Sequence, residues 1–283
     1  MNTKSRPIIY TDLDGTLLDS DSYSFAPARS CMERLAALQI PLIPVTSKTF
    51  AEVAELRSKL RLIRPFIVEN GAAVYIPCGY FGEQPEGTQR IVVGKEQYWL
   101  RTGSKLIAES DARVAAIYQD FSQHFTLLSA MSNEQLIAVT GLSAAGAQAA
   151  KARKFSDPIF WIGDADVRHL FVDCLQALDY QVLHGGRFLH VLEPGFDKGA
   201  ALDWLTAVYC KDQRRSRYLV VGCGDSANDL PMMARTDVAI FLGAGVPGMS
   251  QLLAGVDLRT HPESGPGAWA EMVNRLLDEL GLP

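Results

Sequence analysis

The chain is short of the features that would place it outside the cell or in a membrane. Its 283 residues include five cysteines, Cys31, Cys78, Cys174, Cys210 and Cys223. The number is odd and no two are spaced C-x-x-C, which argues against a disulfide framework or a zinc site. Reduced thiols packed as small core residues are expected instead. No apolar stretch approaches the ~20 residues that a membrane helix needs. The N-terminal apolar run is broken early by Asp12, so neither a signal peptide nor an anchor is expected, and the expected compartment is the cytoplasm. Excess charge is missing too. With 27 Lys and Arg against 32 Asp and Glu, the formal net charge of -5 gives no reason to expect nucleic-acid binding. A local positive site could still receive an anionic small molecule. There is no internal repeat, no low-complexity tract, and nothing that sets an oligomeric state. What remains is an ordinary globular composition, 48% hydrophobic and 21% charged. The length suits two domains, or one domain with a large insertion.

The most telling stretch is Ile8-Ile9-Tyr10-Thr11-Asp12-Leu13-Asp14-Gly15-Thr16. Its apolar residues are consecutive rather than alternating, the pattern of a strand buried on both faces in a parallel sheet. Two carboxylates spaced i, i+2 then fall at the strand's C-terminal end, where open α/β sheets bind their ligands. Two anions so close repel each other, and a bound cation or a shared proton relieves them. Mg²⁺, a hard cation that takes oxygen ligands, fits such a pair. The plain alternative is a strand followed by an acidic turn, so the rest of the chain has to decide.

Strand and helix signals alternate along the first eighty residues. A polar loop over 17–25 leads to a helix with Pro27 in its first turn. Residues 40–45 read as a strand despite Pro41 and Pro44, which suit an edge. A helix over 50–60 and a strand at 66–68 follow, the latter ending in Glu69-Asn70-Gly71. The texture then changes, with a Gly- and Pro-bearing connection at 82–94. Beyond it, 112–123 reads as a helix and 136–140 and 158–162 as strands. The alternation returns after Pro194, with a helix over 198–209 and a solvated basic connection over 211–217. A buried-type strand at 218–221 ends in Gly222-Cys223-Gly224-Asp225-Ser226-Ala227-Asn228-Asp229. A helix to about residue 235, a strand at 238–242 and a closing helix over 271–280 complete the chain. The expected architecture is α/β: a doubly wound, mostly parallel, Rossmann-like core of residues 1–83 and 190–283, with 84–189 inserted as an α+β cap.

Four loops thus converge on one sheet edge. They carry Asp12 and Asp14; Thr46 and Ser47; Lys198; and Asp225, Asn228 and Asp229. Carboxylates can hold Mg²⁺, hydroxyls and loop amides can hold phosphate oxygens, and a lysine can neutralise anionic charge. These are the parts of phosphoryl transfer. Asp12-Leu13-Asp14-Gly15-Thr16, Val45-Thr46-Ser47, Lys198-Gly199 and Gly224-Asp225-Ser226-Ala227-Asn228-Asp229, in this order, resemble the haloacid dehalogenase superfamily of phosphohydrolases. An insertion between the second and third motifs, preceded by Asn70-Gly71-Ala72, is similar to the subgroup with a large α/β cap.

That resemblance implies a role for each position. Asp12 is the nucleophile that becomes a phosphoaspartate. Asp14 protonates the leaving oxygen and then deprotonates the hydrolytic water. Ser47, or Thr46 one place earlier, binds the phosphoryl oxygens. Lys198 offsets charge on the nucleophile and the transferring group. Asp225 holds Mg²⁺ beside the Asp12 side chain and the Asp14 backbone carbonyl, with Asp229 and Asn228 supporting the metal's water shell or orienting Lys198. Asp14 stands where ion-pumping relatives carry Thr, which implies turnover by water and hence a phosphatase.

The finer resemblance is to the mannosyl-3-phosphoglycerate phosphatase family. Thr46-Ser47-Lys48-Thr49 stands in place of the Thr-Gly-Arg of general sugar phosphatases. Val68-Glu69-Asn70-Gly71-Ala72, Arg153-Lys154-Phe155-Ser156-Asp157-Pro158 and Gly185-Gly186-Arg187-Phe188-Leu189-His190 are similar to that family as well. Its members usually carry Glu where Lys154 and Asp157 stand here, which leaves mannosyl against glucosyl preference open. The implied substrate is a small phosphate ester with a carboxylate and a sugar. Arg153 or Arg187 could grip the carboxylate through two hydrogen bonds. Ser156, Asp157 and His190 could meet sugar hydroxyls, with Lys48, Asn70 and Asn228 also at the site. Each of these cap positions could instead be a surface residue, a structural ion pair or, for His190, an ordinary buried histidine. His124, His169, His184 and His261 carry no motif. Three other readings use the same residues: a phosphatase of another sugar phosphate, a phosphomannomutase-like phosphotransferase, and a binding protein with a silent site.

Overall fold

A computed structural model describes residues 6–60, 62–103, 111–185, 187–215 and 217–283. Strand β1 (Pro7–Thr11) is buried on both sides. Ile9 faces one core cluster, with Leu13, Leu35 and Trp269, while Ile8 and Tyr10 face another, with Ile43, Leu205 and Met232. Two packed faces explain why its apolar run is continuous, and each such side chain contributes about 1.5–3 kcal/mol by leaving water.

The elements then run in chain order: α1 (Arg29–Ala37), β2 (Leu42–Pro44), α2 (Phe50–Leu60), β3 (Phe66–Val68), β4 (Ala73–Pro77), β5 (Gln89–Val93), β6 (Glu96–Thr102), α3 (Ala112–Asp120), β7 (Phe125–Leu127), α4 (Asn133–Thr140), α5 (Ala144–Lys151), β8 (Ile159–Trp161), α6 (Ala165–Gln176), β9 (Gln181–Gly185), β10 (Phe188–Leu192), α7 (Lys198–Asp212), β11 (Leu219–Gly224), α8 (Leu230–Met233), β12 (Val238–Leu242), α9 (Met249–Leu252), β13 (Asp257–His261) and α10 (Pro266–Glu279).

The central sheet is parallel, in the order β13-β12-β11-β1-β2. Beyond β2 an isolated bridge, Val45 to Ile67, leads to β3. The Val45 N–H points back to Thr11 at 2.8 Å. The neighbouring Pro44 therefore turns its nitrogen toward β3 and has no hydrogen to donate there. An antiparallel sheet, β3-β4-β6-β5, continues from that point. The 89–102 hairpin thus pairs with β4 beside the core, although the sequence placed it at the start of the insertion. A separate antiparallel sheet, β7-β8-β10-β9, carries its own apolar clusters around Phe171 and Leu136. It includes residues 190–192, which the sequence assigned to the core.

One expected strand is a helix. Residues 136–140, rich in β-branched types, form the second half of α4. Its ends outweigh that local preference. Ser132 and Gln135 make a reciprocal capping box, and Gly141 closes the helix with φ 77°. The basic stretch after Tyr209 also differs, because α7 runs on to Asp212.

Candidate active site

Where β1 ends, the chain turns under the end of β11. The Asp12 N–H donates to the Cys223 carbonyl at 2.9 Å. Gly15, at φ 75°, lies against Asp225, and a Cβ there would be 2.5 Å from Asp225 Oδ2. Thr16 Oγ1 donates to Asp225 Oδ1 at 2.7 Å. The first motif therefore grips the fourth directly.

Lys198 is the centre of the arrangement and is fully buried. Asp197 caps its helix, accepting the Ala200 N–H at 2.7 Å. Gly71 lets a core loop lie flush on the same helix start, since a Cβ at Gly71 would sit 2.1 Å from the Asp197 carbonyl carbon. The Lys198 ammonium donates to Asp12 Oδ1 at 2.8 Å and to Asp229 Oδ1 at 2.6 Å. Burial alone would lower the lysine's pKa, but these two carboxylates outweigh it and raise it. Asp229 is itself held in place, because its Oδ2 accepts the Asp225 and Ser226 N–H groups at 3.1 Å each.

Asp12, Asp225 and Asp229 each bring an oxygen within 4.8 Å of the others. One ammonium does not balance three carboxylates. Burial, with Asp229 and Asp225 adding to it against Lys198, holds the Asp12 carboxyl well above the usual range. Burial and Asp229 push Asp225 up to about 6. Both oxygens of Asp229 are occupied by protein donors, whereas Asp12 and Asp225 each keep one oxygen without a donor among the described residues. An all-carboxylate donor set carrying surplus negative charge suits a hard cation such as Mg²⁺. The Asp14 side chain stands outside that cluster but lines the same cleft. Its Oδ2 meets Lys48 Nζ at 2.8 Å, and its buried Oδ1 has no hydrogen-bond partner among the described residues. Lys48 also lies 3.8 Å from Glu52 and over the Tyr23 ring. Burial opposes its charge, but Asp14 and Glu52 raise its pKa.

These residues floor a cleft of about 640 Å³, whose walls include Asp12, Asp14, Ser47, Lys48, Arg153, Arg187, His190, Asp225 and Asn228. Ser47 lines it. Thr46 is buried behind, with its hydroxyl accepting the Lys48 N–H at 3.1 Å. Asn70 is buried too, and its Oδ1 accepts from Asn228 Nδ2 at 3.4 Å. Arg153 donates to the Ser47 carbonyl at 2.9 Å. Among the described residues, the buried His190 has no hydrogen-bond partner at Nδ1. Burial, reinforced by Arg153 and Lys198, lowers its pKa to about 3, so the ring is neutral. Two expected contacts point away from the cleft. Asp157 accepts from Ser129 N and Oγ at 3.0 and 2.5 Å, and Ser156 donates to Glu69 at 2.6 Å. Gly186 lies outside the described residues. Glu69, Glu52 and Tyr23 were not singled out by sequence reasoning. Glu69 alone carried a signal, its place beside Asn70-Gly71.

A family model described as haloacid dehalogenase-like hydrolase matches residues 9–86. A glucosyl-3-phosphoglycerate/mannosyl-3-phosphoglycerate phosphatase of Persephonella marina is 32% identical, over 96% of this chain and 98% of its own. A protein of the same name from Methanococcoides burtonii is 29% identical over 97% of each chain. Among solved structures, a haloalkanoate-superfamily phosphatase from Bacteroides thetaiotaomicron superposes with a TM-score of 0.68. That match covers 99% of this chain and 97% of the other, and at 13% identity it speaks for the fold alone. With a relative this similar along nearly its whole length, and with the four motifs gathered on one sheet edge, the chain belongs to the haloacid dehalogenase-like hydrolases, as a phosphoric monoester hydrolase.

Proposed function

We propose that this phosphatase hydrolyses a glycosyl-3-phosphoglycerate, with mannosyl-3-phosphoglycerate as the leading substrate, through a phosphoaspartate on Asp12 and with Mg²⁺ bound. The observation that carries the reading is Lys198 bridging the buried Asp229 to Asp12, which lines a cleft together with Arg153, Arg187 and His190. The glucosyl ester is the close alternative, named together with the mannosyl ester for both relatives. We place the cap on the second sheet, from about 111 to 192, and leave the 89–102 hairpin with the core. We place the activity in the cytoplasm.

In this mechanism an Asp12 oxygen attacks phosphorus in line with the ester oxygen, and the phosphorus–ester bond breaks. Asp14 delivers its proton to the departing alkoxide. Asp14 then takes a proton from water, which attacks phosphorus and returns Asp12 as a carboxylate. Lys198 stays charged throughout, holding Asp12 in one orientation and offsetting the transferring charge. Ser47 hydrogen-bonds the phosphoryl oxygens. The Asp12 and Asp225 side chains with the Asp14 carbonyl would hold Mg²⁺, which supplies charge neutralisation and alignment of the phosphoryl group. Arg153 meets the substrate carboxylate, and the neutral His190 offers its unpartnered nitrogen to a sugar hydroxyl.

A phosphate-release screen over sugar phosphates and glycosyl phosphoglycerates tests the substrate. Preference for the glycosyl phosphoglycerates is expected, and a flat profile would remove the assignment.

The metal reading has its own test. Asp225 has its pKa raised to about 6 in the folded chain, so its contribution to metal-free stability is full below the unfolded value and is lost as pH rises through about 6. At pH 7.5 the buried charge is therefore present and a divalent cation relieves it. Mg²⁺ at a hundredfold over its Kd is expected to stabilise by about 2.7 kcal/mol. At pH 5 protons compete and the gain shrinks. Thermal melts with MgCl₂ or chelator at both pH values check this, and an equal Mg²⁺ shift at the two would contradict it.

A further inference from the structure

The turn after β3 holds two consecutive non-glycine residues in the left-handed region, Glu69 at φ 51° and Asn70 at φ 59°. Such a conformation is costly and persists where neighbours fix it. Here the Glu69 N–H donates to the Lys48 carbonyl and the Asn70 N–H to the Thr46 carbonyl, both at 2.9 Å. The turn is thereby stitched to the loop that carries Ser47.

The same turn sends the Glu69 side chain away from solvent, to 1% exposure. Its Oε1 accepts the Lys154 N–H at 3.1 Å. Its Oε2 accepts the Phe155 N–H at 3.1 Å and the Ser156 hydroxyl at 2.6 Å. Arg153 Nε lies 3.8 Å from that oxygen and donates to Ser156 Oγ at 3.1 Å. A buried carboxylate is stable only where donors surround it. All of these donors come from one short segment, 153–156, so Glu69 and that segment fix each other. Arg153 uses one N–H on Ser156 and one on the Ser47 carbonyl, and its guanidinium lines the cleft. A guanidinium has five N–H donors, so others remain for a ligand.

We propose that Glu69 is a positioning residue for substrate selection. It seats the 153–156 segment on the core and holds Arg153 with donors aimed at the carboxylate of the substrate. This rests on the reading that the substrate is a phosphoglycerate ester. In this view the preference for a carboxylated leaving group is set from the core, by a residue that touches no substrate. The loop that binds the phosphoryl group and the segment that reads the leaving group are joined through one side chain.

The test compares kcat/KM for glucosyl-3-phosphoglycerate with that for glucosylglycerol 3-phosphate, which carries a neutral hydroxymethyl group in place of the carboxylate. Glu69→Ala and Arg153→Ala are each expected to reduce the ratio by at least about tenfold, chiefly through KM for the carboxylated ester. The double variant should fall no further, because the two residues act as one unit. Glu69→Gln, which keeps one acceptor oxygen, should restore part of the preference. If Glu69→Ala does not fold, the isosteric Gln variant carries the comparison, with a drop of about threefold or more expected. Preference kept within twofold in the Glu69 variants but lost in Arg153→Ala would overturn the positioning role and leave the substrate reading standing. Preference kept in Arg153→Ala as well would remove both.

Discussion

Asp12→Asn should abolish turnover while leaving the fold intact. Loss of a nucleophile that works as part of a unit lowers kcat on the order of 10⁴-fold or more. The substitution is nearly isosteric. The residue is buried at the end of β1, where its N–H is tied to Cys223, and that backbone bond does not depend on the side chain. The variant also removes one negative charge from a site that holds Asp12, Asp225 and Asp229 against a single lysine. Lys198 keeps Asp229 at 2.6 Å. The metal-free variant is therefore expected to melt at or above the wild-type temperature, and its stabilisation by Mg²⁺ should be much reduced. Phosphate release and thermal melting, with and without Mg²⁺, measure the two effects. Turnover within tenfold of wild type would exclude Asp12 as nucleophile. A large drop in melting temperature would mean that the lost activity was structural.

Lys198→Met should be the most destabilising change at the site. The lysine has no exposed surface, and both its partners are buried. Methionine fills most of the volume but leaves Asp12 and Asp229 facing each other with no cation between them. Breaking a buried ion pair by removing one partner costs about 3–5 kcal/mol, because the remaining charge is stranded. Two carboxylates are stranded here, which puts the expectation at the upper end of that range. Mg²⁺ should recover part of the loss, since it brings positive charge to the same oxygens. Arginine should not substitute. Its planar fork is larger than an ammonium and cannot point at two carboxylates from so enclosed a position. Urea denaturation in chelator and in Mg²⁺ measures the stability, and kcat should fall on the order of 10²–10³-fold. A midpoint within experimental error of wild type would show that the two ion pairs contribute nothing net.

Much of this was legible in the residues themselves. A continuous apolar run marked β1 as a strand with two packed faces, and the strands read at 218–221 and 238–242 lie with it in the central parallel sheet. Helix α2 and strand β3 begin and end where the apolar spacing and flanking polar residues place them. Asp12, Asp225 and Asp229 were read from their places at strand ends, and the fold gathers their oxygens within 4.8 Å. Where the structure departs from the sequence reading, the departures have physical causes. Residues 136–140 carry strand-forming types, but two end caps made them helical. Residues 89–93 fall within the polar connection read over 82–94 but form β5, because an edge strand with mostly exposed side chains shows no buried-strand pattern. Asp157 and Ser156 have hydroxyl-binding chemistry, and each spends it on a protein partner, Ser129 and Glu69.

Local order in the chain determined most of the element types, the parallel core and the chemistry of the four motifs. Those depend on near neighbours: side-chain periodicity, caps, and carboxylates at the end of a buried strand. Tertiary structure alone decided which groups meet. Lys198 and Asp12 are 186 positions apart, and their 2.8 Å contact follows from how α7 is set against the sheet. The same packing turned Asp14 to Lys48, put Ser47 rather than Thr46 on the cleft wall, and buried Glu69 under the cap segment. Periodicity tells which face a side chain takes. Its partner depends on the packing of whole elements, and no short stretch of sequence encodes that.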